Sequence, residues 1–384
     1  MGFAFSAPGR ILFGAGAVSS LRQEAAQLGT KACVVTGANP NRHARIIDGL
    51  NQEGLDPVIL TVRGEPTVEL AAQGADVARN ANCDLVISIG GGGVLDAGKA
   101  VAALLTNNDP LSDYLEVVGL GLPIPFPPAP HIAIPTTAGT GAEATANAVL
   151  LSREHMVKVS MRSPLMLPAL ALVDPELSLS MRPEVTASTG LDALTQLLEA
   201  FVSKYSNPMT DCLCRDGLAR VSRSLLRVFE DGRNIRARED MSLAALFSGM
   251  ALANAKLGAV HGFAAPIGGM FPAPHGAACA ALIAHVIEAN LAALRERAPE
   301  SPSLAAYVEA ARILTGDPSA RSSDCADFVS DLCSRLGLPG LSAYGIKAKD
   351  LSVIADKAAK ASSMKGNPVE LTKAELMDIL AKAL

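Results

Sequence analysis

Tryptophan is absent from this chain, tyrosine occurs four times, and all aromatics together make up 4% of its 384 residues. Nor is there an excess of positive charge: 33 Lys and Arg face 38 Asp and Glu, a formal net charge of −5. With no basic run interleaved with rings, composition argues against a nucleic-acid partner. A disulfide framework is missing as well. The seven cysteines are odd in number, scattered, and form no CxxC pair, so they suggest neither a stapled scaffold nor a zinc knuckle. The closest two, Cys212 and Cys214, fall inside a helical pattern and read as packing. A reducing, cytoplasmic setting is the expectation. The opening "MGFAFSAPGRILFG" lacks the basic segment and long apolar run of a secretory signal. Its Met-Gly start with Ser6 fits the loose myristoylation pattern, but "GFAFS" reads better as an edge strand. The most apolar later stretch, 277–294, contains His285 and Glu288 and reads as a buried helix instead of a membrane span.

What the chain does have is Ala, Leu, Gly and Val, with 49% hydrophobic residues over a length that favours two domains. The runs "KACVVTG" (31–37), "DPVILTV" (56–62), "DLVISIG" (84–90), "HIAIPTT" (131–137) and "ALALVD" (169–174) read as buried strands. Helix-like segments lie between them, and that alternation predicts a parallel sheet with right-handed crossovers. The β signal fades after Pro183. Helical periodicity then covers 186–204, 208–229, 236–257, 276–294, 303–314, 324–336 and 351–360. The expected organisation is an α/β domain over 1–182 and an all-α domain over 183–384, with a ligand in the cleft between them.

Two glycine-rich turns directly follow strands. In "DLVISIGGGGVLDAGKAVAALL" four glycines open an amphipathic helix, where free N–H groups and the helix dipole suit a pyrophosphate. The spacing is neither the GxGxxG fingerprint nor a P-loop. The second, "PTTAGTGAEATANAVL", offers Thr136, Thr137 and Thr140 as small donors. Two such turns at strand ends match the place where α/β folds bind nucleotides.

In the helical half, "TGLDALTQLLEAF" puts Asp192 and Gln196 four residues apart, on one helical face among leucines. His261 and His275 sit in apolar, glycine-rich "GAVHGFAAPIGGMFPAPHGAACAAL", isolated from other polar groups. Buried imidazoles need partners. Each histidine alone reads as a satisfied core residue; together with Asp192 and Gln196 they make a candidate site for one divalent metal. His43, His131, His155 and His285 have no such company and read as surface or structural.

These four segments, in this order, resemble the group III, iron-containing alcohol dehydrogenase family over residues 10–290. The resemblance implies an N-terminal dinucleotide-binding domain with a Rossmann-like parallel sheet and an all-α C-terminal domain, the dehydroquinate synthase-like architecture. It also implies a catalytic metal, Fe²⁺ before Zn²⁺, and NAD or NADP as cofactor. Position by position, Gly90, Gly91, Gly92, Gly93 and Asp96 fall on the family's pyrophosphate loop. Thr136, Thr137, Thr140 and Gly141 fall on its second cofactor loop, and Lys158 falls where the family has a lysine near the nicotinamide ribose. Asp192, His261 and His275 match three of the four metal ligands and, with Lys158, form the expected catalytic set.

The fourth ligand position departs from the family's Asp-x-x-x-His: it is Gln196. This predicts either a weak site bound through the amide oxygen or a three-ligand site completed by water. Ala265 stands where many relatives carry a second histidine, which removes a proton relay. Gly93 and Ala142 replace the usual serines of the two loops. Gly37 stands where NAD-preferring relatives often have an acid, and with Arg42 and Arg45 following, NADP is admissible. The expected activity is reversible hydride transfer between a primary or secondary alcohol, or its aldehyde or ketone, and NAD(P), with the metal as Lewis acid. Apolar "FAAPIGGMF" points to a small or medium substrate of low charge. The alternatives are a maleylacetate-reductase-like enzyme, a dehydroquinate synthase-like cyclase, and a cofactor-binding protein that has lost its metal. A homodimer or larger assembly, with no membrane partner, is the expectation.

Overall fold

The sequence makes two kinds of segment, and the fold keeps them apart. A computed structural model describes residues 2–384. It divides into two compact units: residues 6–137 with 141–178, and residues 179–384 with 2–5 and 138–140.

The α/β unit runs β1 (Arg10–Phe13), α1 (Leu21–Leu28), β2 (Ala32–Gly37), α2 (Ala44–Gln52), β3 (Val58–Val62), α3 (Val68–Asn80), β4 (Leu85–Gly90), α4 (Gly92–Thr106) and the short α5 (Leu111–Tyr114). It continues with β5 (His131–Pro135), β6 (Asn147–Ser152), β7 (Val157–Arg162) and β8 (Leu170–Val173). Six strands pair in the order β1-β8-β5-β4-β2-β3, and every pair is parallel. β4, β5 and β8 are buried at every position, as a sheet covered on both faces requires. From β2 the chain crosses outward to β3, then returns to β4 on the other side of β2. That reversal makes the carboxyl ends of β2 and β4 a topological switch point, the usual seat of a nucleotide.

The helical unit comprises α6 (Pro183–Val202), α7 (Pro208–Glu230), α8 (Ile235–Ala255), α9 (Ala259–Met270), α10 (His275–Arg297), α11 (Pro302–Thr315), α12 (Ser322–Arg335), α13 (Leu351–Ala358) and α14 (Lys373–Lys382). α6 is its axis, buried from Gly190 to Val202 without a break. α10 is long and apolar enough to cross a membrane, but 67% of its apolar window is buried inside the fold, so its hydrophobicity serves packing.

Three differences from the sequence reading have physical causes. "GFAFS" forms no strand; the edge strand is β1, in the "GRILF" run that follows it, where β8 supplies the pairing. The antiparallel pair β6–β7 gave no hairpin signal because its turn, Arg153–Met156, carries no glycine. α9 forms through glycines and Pro266 because packing outweighs propensity: Val260, Phe263, Ala264 and Ile267 are all core residues.

Candidate functional site

A buried helix cannot carry polar side chains without partners, so the polar stripe of α6 shows where the chemistry lies. Asp192, Gln196 and Glu199 follow at intervals of four and three residues and share one face of α6; all three are buried. Asp192 Oδ1 lies 3.3 Å from His261 Nε2 on α9 and 3.6 Å from His275 Nε2 on α10. The two rings are 5.4 Å apart between centroids. Three helices therefore bring one acid and two imidazoles to a single point. The approach of α10 to α6 depends on Gly276: a Cβ there would lie 2.0 Å from the carbonyl oxygen of Ser188, one turn before Asp192. Asp192 and His261 are nearly inaccessible, whereas the His275 side chain is 35% exposed, so the group opens to solvent on that side.

Glu199, which the sequence reading passed over, aims His261. Its Oε2 accepts from His261 Nδ1 at 2.7 Å, while its Oε1 accepts from the backbone N–H of Val260 at 2.7 Å. One carboxylate thus caps the start of α9 and turns the Nε2 of His261 toward Asp192. The Asn367 side chain accepts the neighbouring N–H of Ala259. Burial pulls the His261 imidazole down, but its hydrogen bonds to Asp192 and Glu199, and their charges, prevail and raise it to about 9. Burial likewise pushes Asp192 up, and His275, His261 and Gln196 together bring it below its ordinary value.

Gln196 differs from the expected oxygen ligand. Its Oε1 accepts from the Ser248 hydroxyl at 2.8 Å, and its amide N–H group faces the Asp192 carboxylate. Cys279, one turn beyond His275 on α10, brings its thiol to the same group. Donor atoms of Asp192, His261, His275 and Cys279 all lie within 4.8 Å of one another. Ligands held at about 2.0–2.3 Å around a tetrahedral ion lie roughly 3.3–3.8 Å apart, close to the separations measured from Asp192, so these donors fit a divalent metal.

In the apolar stretch beside His261, Phe263 and Ile267 are fully buried members of the helical core. Ala265 sits one turn after His261, and its methyl group has no proton to relay. His131 is buried against Ser88 at 2.9 Å, with burial and then Lys99 lowering it to about 3. His155 contacts Ser152, His285 lies near Glu288, and His43 is half-buried. Cys214 is buried as packing, although Cys212 is exposed.

In the α/β unit the first glycine turn lies at the carboxyl end of β4. Gly91 is extended and precedes α4, which no side chain caps, so its first N–H groups keep the anion-binding character of an open helix terminus. None of Gly90, Gly91, Gly92 and Gly93 adopts positive φ; they provide close approach, not left-handed backbone. Thr136 and Thr137 follow β5, next to β4 in the sheet, and the Thr136 N–H donates to the Gly90 carbonyl at 2.9 Å. Gly141 takes φ +61°, and Thr140 before it is partly accessible. Gly37 ends β2, on the other side of β4, with open space where a side chain would be. Arg42 and Arg45 beyond it are exposed.

Two expected cofactor residues are engaged inside the unit. Asp96 pairs with Lys99 at 2.9 Å, and Lys99 also donates to Thr145 Oγ1 at 2.7 Å and to the Asn147 carbonyl, which ties α4 to β6. Burial drives Asp96 up, only partly offset by Lys99. Lys158 on β7 pairs with Glu65 at 2.7 Å, one residue before the Pro66 ring that Gly93 faces.

Comparison with known proteins agrees with this division. Residues 8–175 match the model of the iron-containing alcohol dehydrogenase family, and residues 186–384 match that of its C-terminal domain. The 1,3-propanediol dehydrogenase of Citrobacter freundii is 32% identical over 99% of this chain and 98% of its own length. A crystal structure of 1,3-propanediol oxidoreductase superposes with a TM-score of 0.91 at 31% identity, covering all of both chains. Sulfoacetaldehyde reductase from Bifidobacterium kashiwanohense, solved with NAD⁺, gives 0.88 at 28% identity over 100% of this chain and 99% of that one. The chain belongs to the iron-containing alcohol dehydrogenase family and is an NAD(P)-dependent alcohol oxidoreductase.

Proposed function

We propose that the chain interconverts a small, weakly charged primary or secondary alcohol with its aldehyde or ketone, using Asp192, His261 and His275 to hold a divalent metal. The observation that carries this reading is the convergence of those three side chains from three helices on one point. When bound, the metal polarises the substrate oxygen while the nicotinamide exchanges hydride with the substrate carbon. Asp192 supplies the negative charge of the site, and the Glu199 contact keeps His261 Nε2 aimed toward it. His275, the accessible member, lines the side from which an alcohol enters. Ala265 offers no relay, so the alcohol proton leaves through solvent.

Iron(II), the family's metal, is the proposed resident ion, with zinc(II) as its competitor. The cofactor is assigned to Gly90, Gly91, Gly92, Gly93, Thr136, Thr137, Thr140 and Gly141, with Lys158 toward the ribose and Asp96 bracing the loop through Lys99. Open space at Gly37, with no carboxylate to repel a 2′-phosphate, supports acceptance of NADP as well as NAD. That none of the seven cysteines is in a disulfide supports a reducing, cytoplasmic setting. A homodimer or larger assembly is proposed from the habit of relatives.

The test is an alcohol and aldehyde panel run with both cofactors on protein loaded with Fe²⁺ or Zn²⁺. Metal-dependent oxidation of at least one simple alcohol is expected. Thermal protection by NAD or NADP without turnover under any metal would leave a binding protein in its place.

A further inference from the structure

We propose that Cys279 is the fourth protein ligand of the metal and that Gln196 is a positioning residue which orients Asp192 without touching the ion. This deepens the metal-dependent reading above and rests on it.

The amide oxygen of Gln196 accepts from the hydroxyl of buried Ser248 at 2.8 Å. The opposite end of the amide, the N–H side, serves the Asp192 carboxylate. Turning the oxygen inward would give up the amide N–H bond to Asp192 and bring two oxygens together in a buried space. In the orientation seen, the side chain supports the acid and presents no oxygen to the metal.

The donor missing from α6 reappears on α10. Cys279 follows His275 by four residues, so the two side chains leave the same face of the helix one turn apart. Cys279 Sγ lies 3.9 Å from Asp192 Oδ1, and it belongs with Asp192, His261 and His275 to the set of donors within 4.8 Å of one another. Of the seven cysteines it alone shares such a set among the described residues, and none of them is in a disulfide.

Ligation forms a metal–sulfur bond and releases the thiol proton to solvent. The resulting set, one carboxylate, one thiolate and two neutral imidazoles, balances the charge of a divalent ion completely. An imidazole in the fourth place would leave one positive charge. The soft sulfur also moves the preference of the site from iron(II) toward zinc(II) and cobalt(II), and the added negative charge lowers the Lewis acidity of the ion.

Cobalt(II) makes the assignment visible, because a thiolate ligand gives a sulfur-to-cobalt charge-transfer band that oxygen and nitrogen ligands lack. Full-length protein loaded with one cobalt per chain is expected to show the band, and X-ray absorption to find one sulfur in the first shell. Cys279→Ala is expected to lose the band and to bind cobalt more weakly by at least the roughly 10–100-fold that loss of an outer-shell partner costs. Gln196→Ala is expected to keep the band with a smaller loss of affinity. Stoichiometric cobalt in the wild-type protein with neither band nor sulfur overturns the assignment while leaving the metal-dependent reading intact, as does a band that survives in Cys279→Ala. Failure to bind cobalt at all overturns both. The wild-type absorption measurement decides even if Cys279→Ala does not fold.

Discussion

The two functional regions of this molecule are built in opposite ways. The proposed cofactor turns are made of backbone: glycines and threonines contiguous in sequence, placed at the ends of adjacent strands. The proposed metal centre is made of side chains: Asp192, His261, His275 and Cys279 lie on three helices, and nothing joins them but the fold. A backbone site tolerates side-chain changes that leave its N–H groups in place, whereas a side-chain site tolerates an exchange only where another residue compensates, the part proposed above for Cys279.

The sharpest way to break this contrast is Asp192→Asn, which is nearly isosteric but removes the charge that both histidines face. Alcohol oxidation should fall at least about 100-fold, with metal content falling in parallel, while thermal protection by NAD or NADP stays unchanged. Loss of cofactor protection in the same variant would show that the two regions are not independent. Next in size is Glu199→Ala, which touches no donor of the metal except through His261. Metal affinity measured by chelator competition should drop about 10–100-fold, with a loss of stability from the uncapped Val260 N–H on the order of 1 kcal/mol. Unchanged affinity would show that His261 needs no aiming.

The reciprocal experiment is Gly91→Ala. An added methyl group would meet only Thr137, at ordinary contact distances of 3.4–3.5 Å, so the fold should accept it. Cofactor Kd should rise about tenfold, equivalent to roughly 1.4 kcal/mol, with metal content untouched; equal binding by the variant would take the pyrophosphate away from this turn. The smallest effect concerns Glu143, buried in the second turn. Burial raises it from 4.5 to about 7, partly offset by its own backbone N–H and by Lys99. The unfolded chain gives up that proton first, so this carboxyl leaves stability undiminished below about 4.5 and erodes it as pH rises through about 7. Glu143→Gln should flatten the decline in urea-melt midpoints across that window, and an unaltered slope would assign the decline to other groups.

The same contrast explains what could be read in advance. The buried strands declared themselves by continuous β-branched runs, and the first glycine turn by its place after one of them. His261 and His275 stood out because an imidazole in an apolar segment must find a partner. Their convergence with Asp192 was suggested by family resemblance and could not come from spacing alone, since contacts 69 and 83 residues apart are set by helix packing. Glu199 was hidden only because a glutamate near the end of a helix looks like a solvated charge. Cys279 was hidden because a thiol in an apolar helix has the usual appearance of a packing residue. α9 was obscured by local propensity, its glycines and Pro266 arguing against the helix that the surrounding core imposes.

The carboxylate of Glu199 holds the first turn of α9 with one oxygen and the ring of His261 with the other. An ion arriving from solution therefore finds an imidazole already pointed, on a helix already started, and has little ordering left to cause. Depletion should therefore leave α9 folded and its imidazole in place, so that metal-free and reloaded protein share the same helicity.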